Sequence, residues 1–191
     1  MKVAFVSDPF QVEPLGIAYL ASTLKKRGHE VGLVLTNSIE ELREIKPDVL
    51  AYSVTTGKHK RFLELNNIIK RDIPAISIFG GSHPTYFPEM ADEKGVDYII
   101  RGEADKSLPE LLDDIALGRS HKKVTGFRAL EQNLDRLPFP DREFLYSHSD
   151  NYNNPIKNVL TSRGCRFSCP YCFSLYLQFL YIISSLSFPS L

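Results

Sequence analysis

The feature that most constrains the fold is a regular alternation of short apolar runs with longer amphipathic stretches. Each apolar run has four to seven residues of near-continuous hydrophobic character. Such runs are typical of strands that are buried on both faces of a parallel sheet. The predicted strands are Lys2–Ser7, Glu30–Leu35, Asp48–Val54, Ala75–Phe79 and Asp97–Ile100.

Stretches with helical periodicity separate these runs. The predicted helices are Leu15–Gly28, Ile39–Ile45, Lys60–Arg71, Pro84–Lys94 and Ser107–Ile115. Strands that alternate with helices predict an α/β fold, here a doubly wound five-stranded parallel sheet. Right-handed crossovers give the flavodoxin-like strand order 2-1-3-4-5 most simply. A small added strand is predicted within Lys123–Arg128.

Ligands of such sheets bind beyond the carboxyl ends of the strands, where the loops Asp8–Pro14, Ser53–Gly57, Gly80–Thr85 and Arg101–Asp105 lie. The loop Gly80-Gly-Ser-His-Pro-Thr85 combines two glycines, a histidine, a proline and a hydroxyl. It is neither a G-x-G-x-x-G fingerprint nor a phosphate-binding P-loop. Taken alone it is also compatible with a tight turn that caps the next helix, and His83 with a partly exposed turn residue.

All three cysteines lie together, in Thr161-Ser-Arg-Gly-Cys-Arg-Phe-Ser-Cys-Pro-Tyr-Cys172. A [4Fe–4S] cluster normally takes four thiolates, so Cys165, Cys169 and Cys172 would leave one iron open. An odd number of closely spaced cysteines argues against a disulfide framework. Zinc is the alternative, but it needs a fourth ligand, and the nearest histidine, His148, lacks finger-like spacing. The motif favours iron–sulfur over zinc.

This C-x3-C-x2-C motif resembles the signature of the radical S-adenosylmethionine (radical SAM) enzymes. The resemblance implies that the three cysteines bind a [4Fe–4S] cluster whose open iron chelates S-adenosylmethionine. It also implies that Tyr171 lies near the adenine. The cluster would cleave S-adenosylmethionine reductively, for methyl transfer or other radical chemistry, with an electron from a reductant such as flavodoxin or ferredoxin.

The first half of the chain resembles the cobalamin-binding domain that precedes many radical SAM barrels. The matches are Pro14–Leu20, Gly80–Thr85, Asp97–Glu103 and the linker-like Asn133–Arg142. The resemblance implies that cobalamin is a cofactor. Its implied contacts are Pro14, Leu15, Gly16, Ser53, Thr55, Gly80, Gly81, His83, Pro84, Thr85, Arg101, Gly102 and Glu103.

Two positions depart from related patterns. Cobalamin domains of the methionine synthase and mutase type carry D-x-H-x-x-G after the first strand, whereas Pro9 and Phe10 follow Asp8 here. The resemblance therefore implies cobalamin with its nucleotide base detached and without a histidine on cobalt, and His83 is not assigned that role. Ala104 replaces a glycine that is common after Gly-Glu in relatives.

The predicted domains are 1–128, a cobalamin-binding-like domain; 129–156, a linker; 157–172, the start of a radical SAM barrel; and 173–191, an apolar tail. Asn158–Thr161 would be the first barrel strand. The tail has no charged residue, and its composition changes abruptly after the motif. A disrupted gene is the favoured explanation, with a native tail anchor as the alternative, and the resulting fragment would be inactive alone.

Composition limits the functional class. The 191 residues carry equal numbers of acidic and basic side chains, which disfavours nucleic acid as an obligate partner. Reduced thiols fit a cytoplasmic protein whose ligands are small-molecule cofactors, with no membrane partner unless the tail is native. The favoured function is the N-terminal part of a cobalamin-dependent radical SAM enzyme. The alternatives are a stand-alone cobalamin-binding module and a zinc-stabilised non-enzymatic α/β protein.

Overall fold

The structure is a computed structural model, and it describes most of the chain. The described residues are 1–126, 131, 133–149, 153–164, 167 and 169–172. Within them, no helix has both the length and the apolar character that a membrane crossing requires. The predicted tail, residues 173–191, lies outside them, as do Cys165 and residues 127–128 of the predicted first domain.

A parallel sheet forms the centre of the molecule, with the order β2-β1-β3-β4-β5-β6. The sequence prediction of an α/β doubly wound sheet is confirmed, and the added strand extends it to six strands within the described residues. The strands are β1 Lys2–Ser7, β2 Glu30–Leu35, β3 Val49–Ser53, β4 Ile76–Gly80, β5 Tyr98–Arg101 and β6 Val124–Gly126. All five neighbouring pairs are parallel.

Helices cover both faces of the sheet. They are α1 Leu15–Lys26, α2 Leu42–Ile45, α3 His59–Asp72, α4 Ser82–Tyr86, α5 Ser107–Ala116 and α6 Arg142–Tyr146. Side chains alternate along each strand, so Val3 and Phe5 pack with α1, α5 and α6, while Ala4 and Val6 pack with α2 and α3. This two-sided burial explains why the strands are almost purely apolar.

The helix predicted for Pro84–Lys94 is wrong in its extent. The structure has α4, which ends at Tyr86, and then a separate 3-10 helix at Pro88–Asp92. Pro88 cannot donate a backbone hydrogen bond and disfavours helical geometry at Phe87, whose φ of −122° and ψ of 69° lie outside the helical region. The chain therefore breaks between the two helices.

The strand predicted for Asn158–Thr161 is also absent. These residues have no regular secondary structure and are exposed. A strand is stable only when a neighbour pairs with it, and no strand of the described residues pairs with this segment.

Helix α6 packs against the first domain, although it lies in the predicted linker. Phe144 and Leu145 are buried in the same apolar cluster as α1 and α5. The Asp141 carboxylate caps α6 by accepting from the Phe144 N–H at 3.1 Å, and it also accepts from Lys25 Nζ at 2.7 Å. These contacts fix α6 against α1.

A buried polar network fixes the opposite, amino end of β4 and β5. Asn66 of α3 is fully buried; its Nδ2 donates to the Gly95 carbonyl at 2.9 Å, and its Oδ1 accepts from Ser77 Oγ at 2.6 Å. The Asp97 carboxylate accepts from the Ser77 N–H at 2.7 Å and pairs with Lys70. The buried side-chain amide of Asn66 therefore joins α3 to β4 and to the loop before β5.

Replacing Asn66 by alanine is expected to lower the free energy of unfolding by about 2 kcal/mol, because it leaves the buried Ser77 hydroxyl without its acceptor. Urea denaturation followed by circular dichroism measures the change. Glu64→Ala is the matched control, since Glu64 is exposed on the same helix. Equal stabilities of the two variants would contradict this role for Asn66.

Candidate cofactor site at the carboxyl edge of the sheet

A cleft of about 270 Å³ opens at the carboxyl edge of the sheet, on the side covered by α1 and α5. Its interior is apolar, with Phe5, Ile17, Ile78, Ile100 and Leu108 among its walls. Its mouth carries glycines and charged side chains. Those mouth residues are Gly16, Gly80, Gly81, Gly102, Glu103, Asp105 and Arg163. An apolar interior with a few polar groups at the mouth is the usual form of a small-molecule site.

Gly81 forms the tightest backbone contact of the mouth. Its φ is 96° and its ψ is −170°, a conformation that is open essentially only to glycine. A Cβ atom here would lie 2.7 Å from the Val54 carbonyl oxygen and 2.8 Å from the Val54 nitrogen. The loop after β4 therefore lies directly on the end of β3.

Thr85 joins the loop after β4 to the loop after β5. Its hydroxyl donates to the Gly81 carbonyl at 2.7 Å and accepts from the Gly102 N–H at 2.9 Å. The Thr85 carbonyl accepts from Arg101 Nε at 3.0 Å. The side chains of Thr85 and Arg101 thus shape the mouth by holding two loops together.

His83 points to the opposite side of the sheet from the cleft. Its ring stacks on His59 at a centroid distance of 3.7 Å and on Phe87 at 4.9 Å, and its Nδ1 is 3.2 Å from Thr56 Oγ1. Burial, and then the neighbouring His59, lower the pKa of His83, which favours the neutral ring. In this structure His83 helps to fix the loop against α3.

Asp8 connects the loop after β1 to the start of α3. Its carboxylate accepts from Lys58 Nζ at 2.9 Å, Arg61 Nη1 at 2.7 Å and Thr36 Oγ1 at 3.0 Å. Burial alone would raise the pKa of Asp8, but the hydrogen bonds from Lys58, Thr36 and Arg61 hold it below its ordinary value. Lys58 and Arg61, at the start of α3, are therefore both paired within the domain.

Glu13, at the end of the same loop, is a buried carboxylate that holds the segment after α6. It accepts from Tyr146 Oη at 2.7 Å, Arg142 Nη1 at 2.9 Å and the Asn158 N–H at 3.1 Å. Arg142 also donates to the Asn158 carbonyl. One buried charge thus fixes both α6 and the start of the segment that leads to the cysteines.

Arg163 brings the cysteine segment to the cleft mouth. Its guanidinium donates from Nη1 to Asp105 Oδ2 at 2.5 Å and from Nη2 to Asp105 Oδ1 at 3.3 Å. Nη1 also donates to Glu103 Oε2 at 2.9 Å. Burial alone would lower the pKa of Arg163, but the hydrogen bonds and charges of Asp105 and Glu103 raise it.

Cys169 and Cys172 lie in one tight turn, because the Cys172 N–H donates to the Cys169 carbonyl at 3.0 Å. Both are partly exposed. Between them, Tyr171 is 87% exposed. Two of the predicted cluster ligands and the predicted adenine contact are thus accessible to a ligand, and the third, Cys165, lies outside the described residues.

The predicted cobalamin contacts fall into two groups. Gly16, Ser53, Gly80, Gly81, Gly102 and Glu103 line the cleft. Pro14 and Leu15 start α1 beside the cleft, Thr55 is exposed, and His83, Pro84, Thr85 and Arg101 support the loops around it. Sequence reasoning missed Glu13, Asp105 and Arg163. A local signal existed for two of them, since Arg163 lies within the cysteine motif and Asp105 within the loop Arg101–Asp105.

A doubly wound parallel sheet with a cleft at its carboxyl edge defines a ligand-binding α/β domain. Residues 1–112 match the sequence model of the B12 binding domain family, and the chain belongs to this family. The predicted resemblance of the first domain to the cobalamin-binding domain of such enzymes is thereby confirmed.

Three relatives are similar over most of this chain. An uncharacterized methyltransferase of Pyrococcus horikoshii is 30% identical over 87% of the chain and 41% of the relative. The hopanoid C-3 methylase of Methylococcus capsulatus is 27% identical over 85% and 36%. The anaerobic magnesium-protoporphyrin IX monomethyl ester cyclase of Synechocystis sp. is 28% identical over 85% and 38%. The chain therefore spans about two fifths of the length of these relatives.

Gly81→Ala is expected to lower the free energy of unfolding by about 3 kcal/mol, because the new Cβ would collide with the Val54 backbone in a conformation that alanine resists. Gly28→Ala is the matched control. Gly28 also has a positive φ, 83°, but open space around it, so about 1 kcal/mol is expected. Equal losses in urea denaturation would show that the contact with Val54 is unimportant.

A pH dependence is expected from Glu13. Burial would raise its pKa, but hydrogen bonds from Tyr146, the Asn158 N–H and Arg142 hold it below the ordinary 4.5. A carboxylate whose pKa is lowered by folding stabilises the protein fully above its unfolded pKa and loses that contribution as the pH falls through its folded pKa.

The stability difference between the parent and Glu13→Gln is therefore expected to be largest at neutral pH and to shrink as the pH falls below about 4.5, the ordinary carboxyl value. Urea midpoints measured from pH 7 to pH 3 give this difference. Glu143→Gln, exposed on α6, serves as the matched control. A difference that stays constant with pH would argue against a charged Glu13 as the anchor.

Proposed function

We propose that this chain is the cobalamin-binding part of a radical SAM enzyme and that its cysteine loop binds a [4Fe–4S] cluster. The observation that carries the proposal is the cleft at the carboxyl edge of a B12 binding domain, with the cysteine segment forming part of its mouth. Leu160 and Arg163, which precede the first cysteine, line the same cleft as Gly80 and Gly102.

The cleft fits one part of a cobalamin. At about 270 Å³ it is too small for a corrin ring, but its apolar interior suits a detached nucleotide base. The glycines of the mouth carry no side chains, so a flat ring can approach the backbone closely. Gly16, Gly80, Gly81 and Gly102 would hold the cofactor there, with Ser53 as a polar contact.

The side chains around the cleft fit a cobalamin without a histidine ligand. The loop after β1 holds Asp8, which is paired with Lys58 and Arg61. His83 lies on the far side of the sheet, stacked between His59 and Phe87. Neither residue is placed to reach a ligand above the cleft mouth.

The cysteine turn fits a cluster by the chemistry of its donors. Thiolates are the usual ligands of iron–sulfur clusters, and the turn offers Cys169 and Cys172 on partly exposed backbone. Cys165 would complete the set of three. Tyr171 is exposed beside these thiols and would contact the adenine of S-adenosylmethionine.

The cofactors would supply the chemistry, which is reductive cleavage of S-adenosylmethionine followed by methyl transfer or another radical reaction. The residues of this chain would bind and orient them. The domain would hold cobalamin over the carboxyl edge, and Glu13 and Arg163 would keep the cysteine segment beside it. The names of the first two relatives, a methyltransferase and a methylase, support methyl transfer as the reaction class.

Hydroxocobalamin added to the purified chain is expected to bind with a stoichiometry of one, measured by retention on gel filtration and by its visible spectrum. Reduction to cob(II)alamin should give an electron paramagnetic resonance spectrum without nitrogen hyperfine splitting from an axial base. Splitting by an axial nitrogen would contradict the proposed binding mode, and failure to bind would contradict the proposal itself.

Anaerobic reconstitution with iron and sulfide tests the cysteine loop separately. Four irons per chain and the visible absorbance of a cluster are expected, and both should be lost when all three cysteines are replaced by alanine. Cobalamin binding should survive that replacement. One zinc per chain with no cluster absorbance would favour the zinc-stabilised alternative instead.

A further inference from the structure

Arg163 stands out among the charged residues at the cleft because it belongs to a different part of the chain. It comes two residues before the first cysteine in sequence, and both of its carboxylate partners lie in the loop after β5. Its side chain is only 11% exposed, and Asp105 is 7% exposed. The contact is therefore a largely buried bridge between two segments that are 58 to 60 residues apart.

We propose that Arg163 is a positioning residue that fixes the cysteine loop against the cofactor cleft through its bridge to Asp105 and Glu103. The inference rests on the proposed function, because a fixed relation between loop and cleft matters when each binds a cofactor. It goes beyond that function by assigning the relation to one side chain.

The geometry of the bridge suits arginine. Both terminal nitrogens of Arg163 reach Asp105, and one of them also reaches Glu103. The guanidinium also lies 5.1 Å from the centre of the Tyr19 ring, which adds a cation–π contact from α1. A planar fork can make these contacts together, whereas the point charge of a lysine cannot.

The charges make the bridge hard to break. If Arg163 were removed, Asp105 and Glu103 would be two neighbouring carboxylates that lack its counter-charge. Asp105 is also buried. Removing one partner of a buried ion pair is strongly unfavourable because it leaves the other charge uncompensated. The two carboxylates therefore keep the arginine, and with it the cysteine segment, at the mouth of the cleft.

The rest of the segment depends on its two ends. Residues 158–162 are exposed, and Asn158 is held by Glu13 and Arg142. Among the described residues that follow, Arg163 is the next one that forms an ion pair. Without it, the backbone that leads to the cysteines would be fixed at one end only.

The partners of Arg163 are also part of the cleft. Glu103 and Asp105 follow Gly102, whose N–H is held by Thr85. Thr85 is in turn held to Gly81. A ligand that orders the mouth would therefore also order Glu103 and Asp105, which hold Arg163. Cofactor binding and the position of the cysteine loop would thus be coupled.

The first test uses the 15N-labelled full chain without cofactors. The heteronuclear NOE of residues 159–164 is expected to approach that of the sheet in the parent and to fall to values typical of flexible termini in Arg163→Gln, while Asn158 stays ordered because Glu13 and Arg142 still hold it. Asp105→Asn should have the same effect, and Arg163→Lys an intermediate one. Arg43→Gln is the matched control, because Arg43 pairs with Asp72 on the exposed surface.

The outcome that overturns the proposal is a segment that is as ordered in Arg163→Gln as in the parent, or one that is disordered in both. This measurement needs no cofactor. The proposal about Arg163 is therefore decided even if the chain binds neither cobalamin nor iron, a result that would overturn only the proposed function.

The second test uses the chain loaded with cobalamin and a reduced cluster. In the parent, the cob(II)alamin resonance is expected to be broadened by the nearby paramagnetic cluster. Both cofactors are added at saturating concentration, so that the parent and the variants are compared at equal loading. Arg163→Gln should then lose the broadening, and Arg163→Lys should restore part of it. Unchanged broadening in Arg163→Gln with both cofactors bound would contradict the positioning role.

Discussion

The backbone contact between Gly81 and Val54 is the constraint on which the carboxyl edge depends. Because no side chain separates the two loops, the His83 N–H reaches the Val54 carbonyl at 3.0 Å and the Val54 N–H reaches the Gly80 carbonyl at 2.9 Å. Thr85 is thereby placed to hold Gly102. The cleft is thus built by backbone geometry at its mouth, and its apolar walls come from residues that the sheet would bury in any case.

Two buried charges extend this rigid edge to the segment after α6. Glu13 accepts three hydrogen bonds, from Tyr146, Arg142 and Asn158, and so its charge is well compensated despite burial. Arg163 has the opposite charge, and two carboxylates in the loop after β5 hold it. The contribution of both bridges is geometric, because directional contacts to charged groups define one position for the chain.

The sequence predicted the sheet well because parallel strands buried on both faces leave an unbroken apolar signature. It failed where one residue overrode a periodic pattern, as Pro88 does after α4. It also failed at Asn158–Thr161, because an apolar run becomes a strand only beside a partner. The contacts of Glu13 join residues 129 to 145 positions apart, and no local pattern encodes such a distance. The motifs did show which loops form the mouth, since glycines and charges at strand ends are local signals.

The cleft and the cysteine segment share a wall. The mouth of the cleft is formed by the loops after β4 and β5 and by the segment that leads to the cysteines. A ligand bound in the cleft therefore touches, or orders through Glu103 and Asp105, the residue that anchors that segment. Linkage is reciprocal, so order imposed on the cysteine segment would favour the liganded form of the cleft by the same free energy. In this fold, the loops that form the mouth of the cleft also carry the carboxylates that hold the cysteine segment.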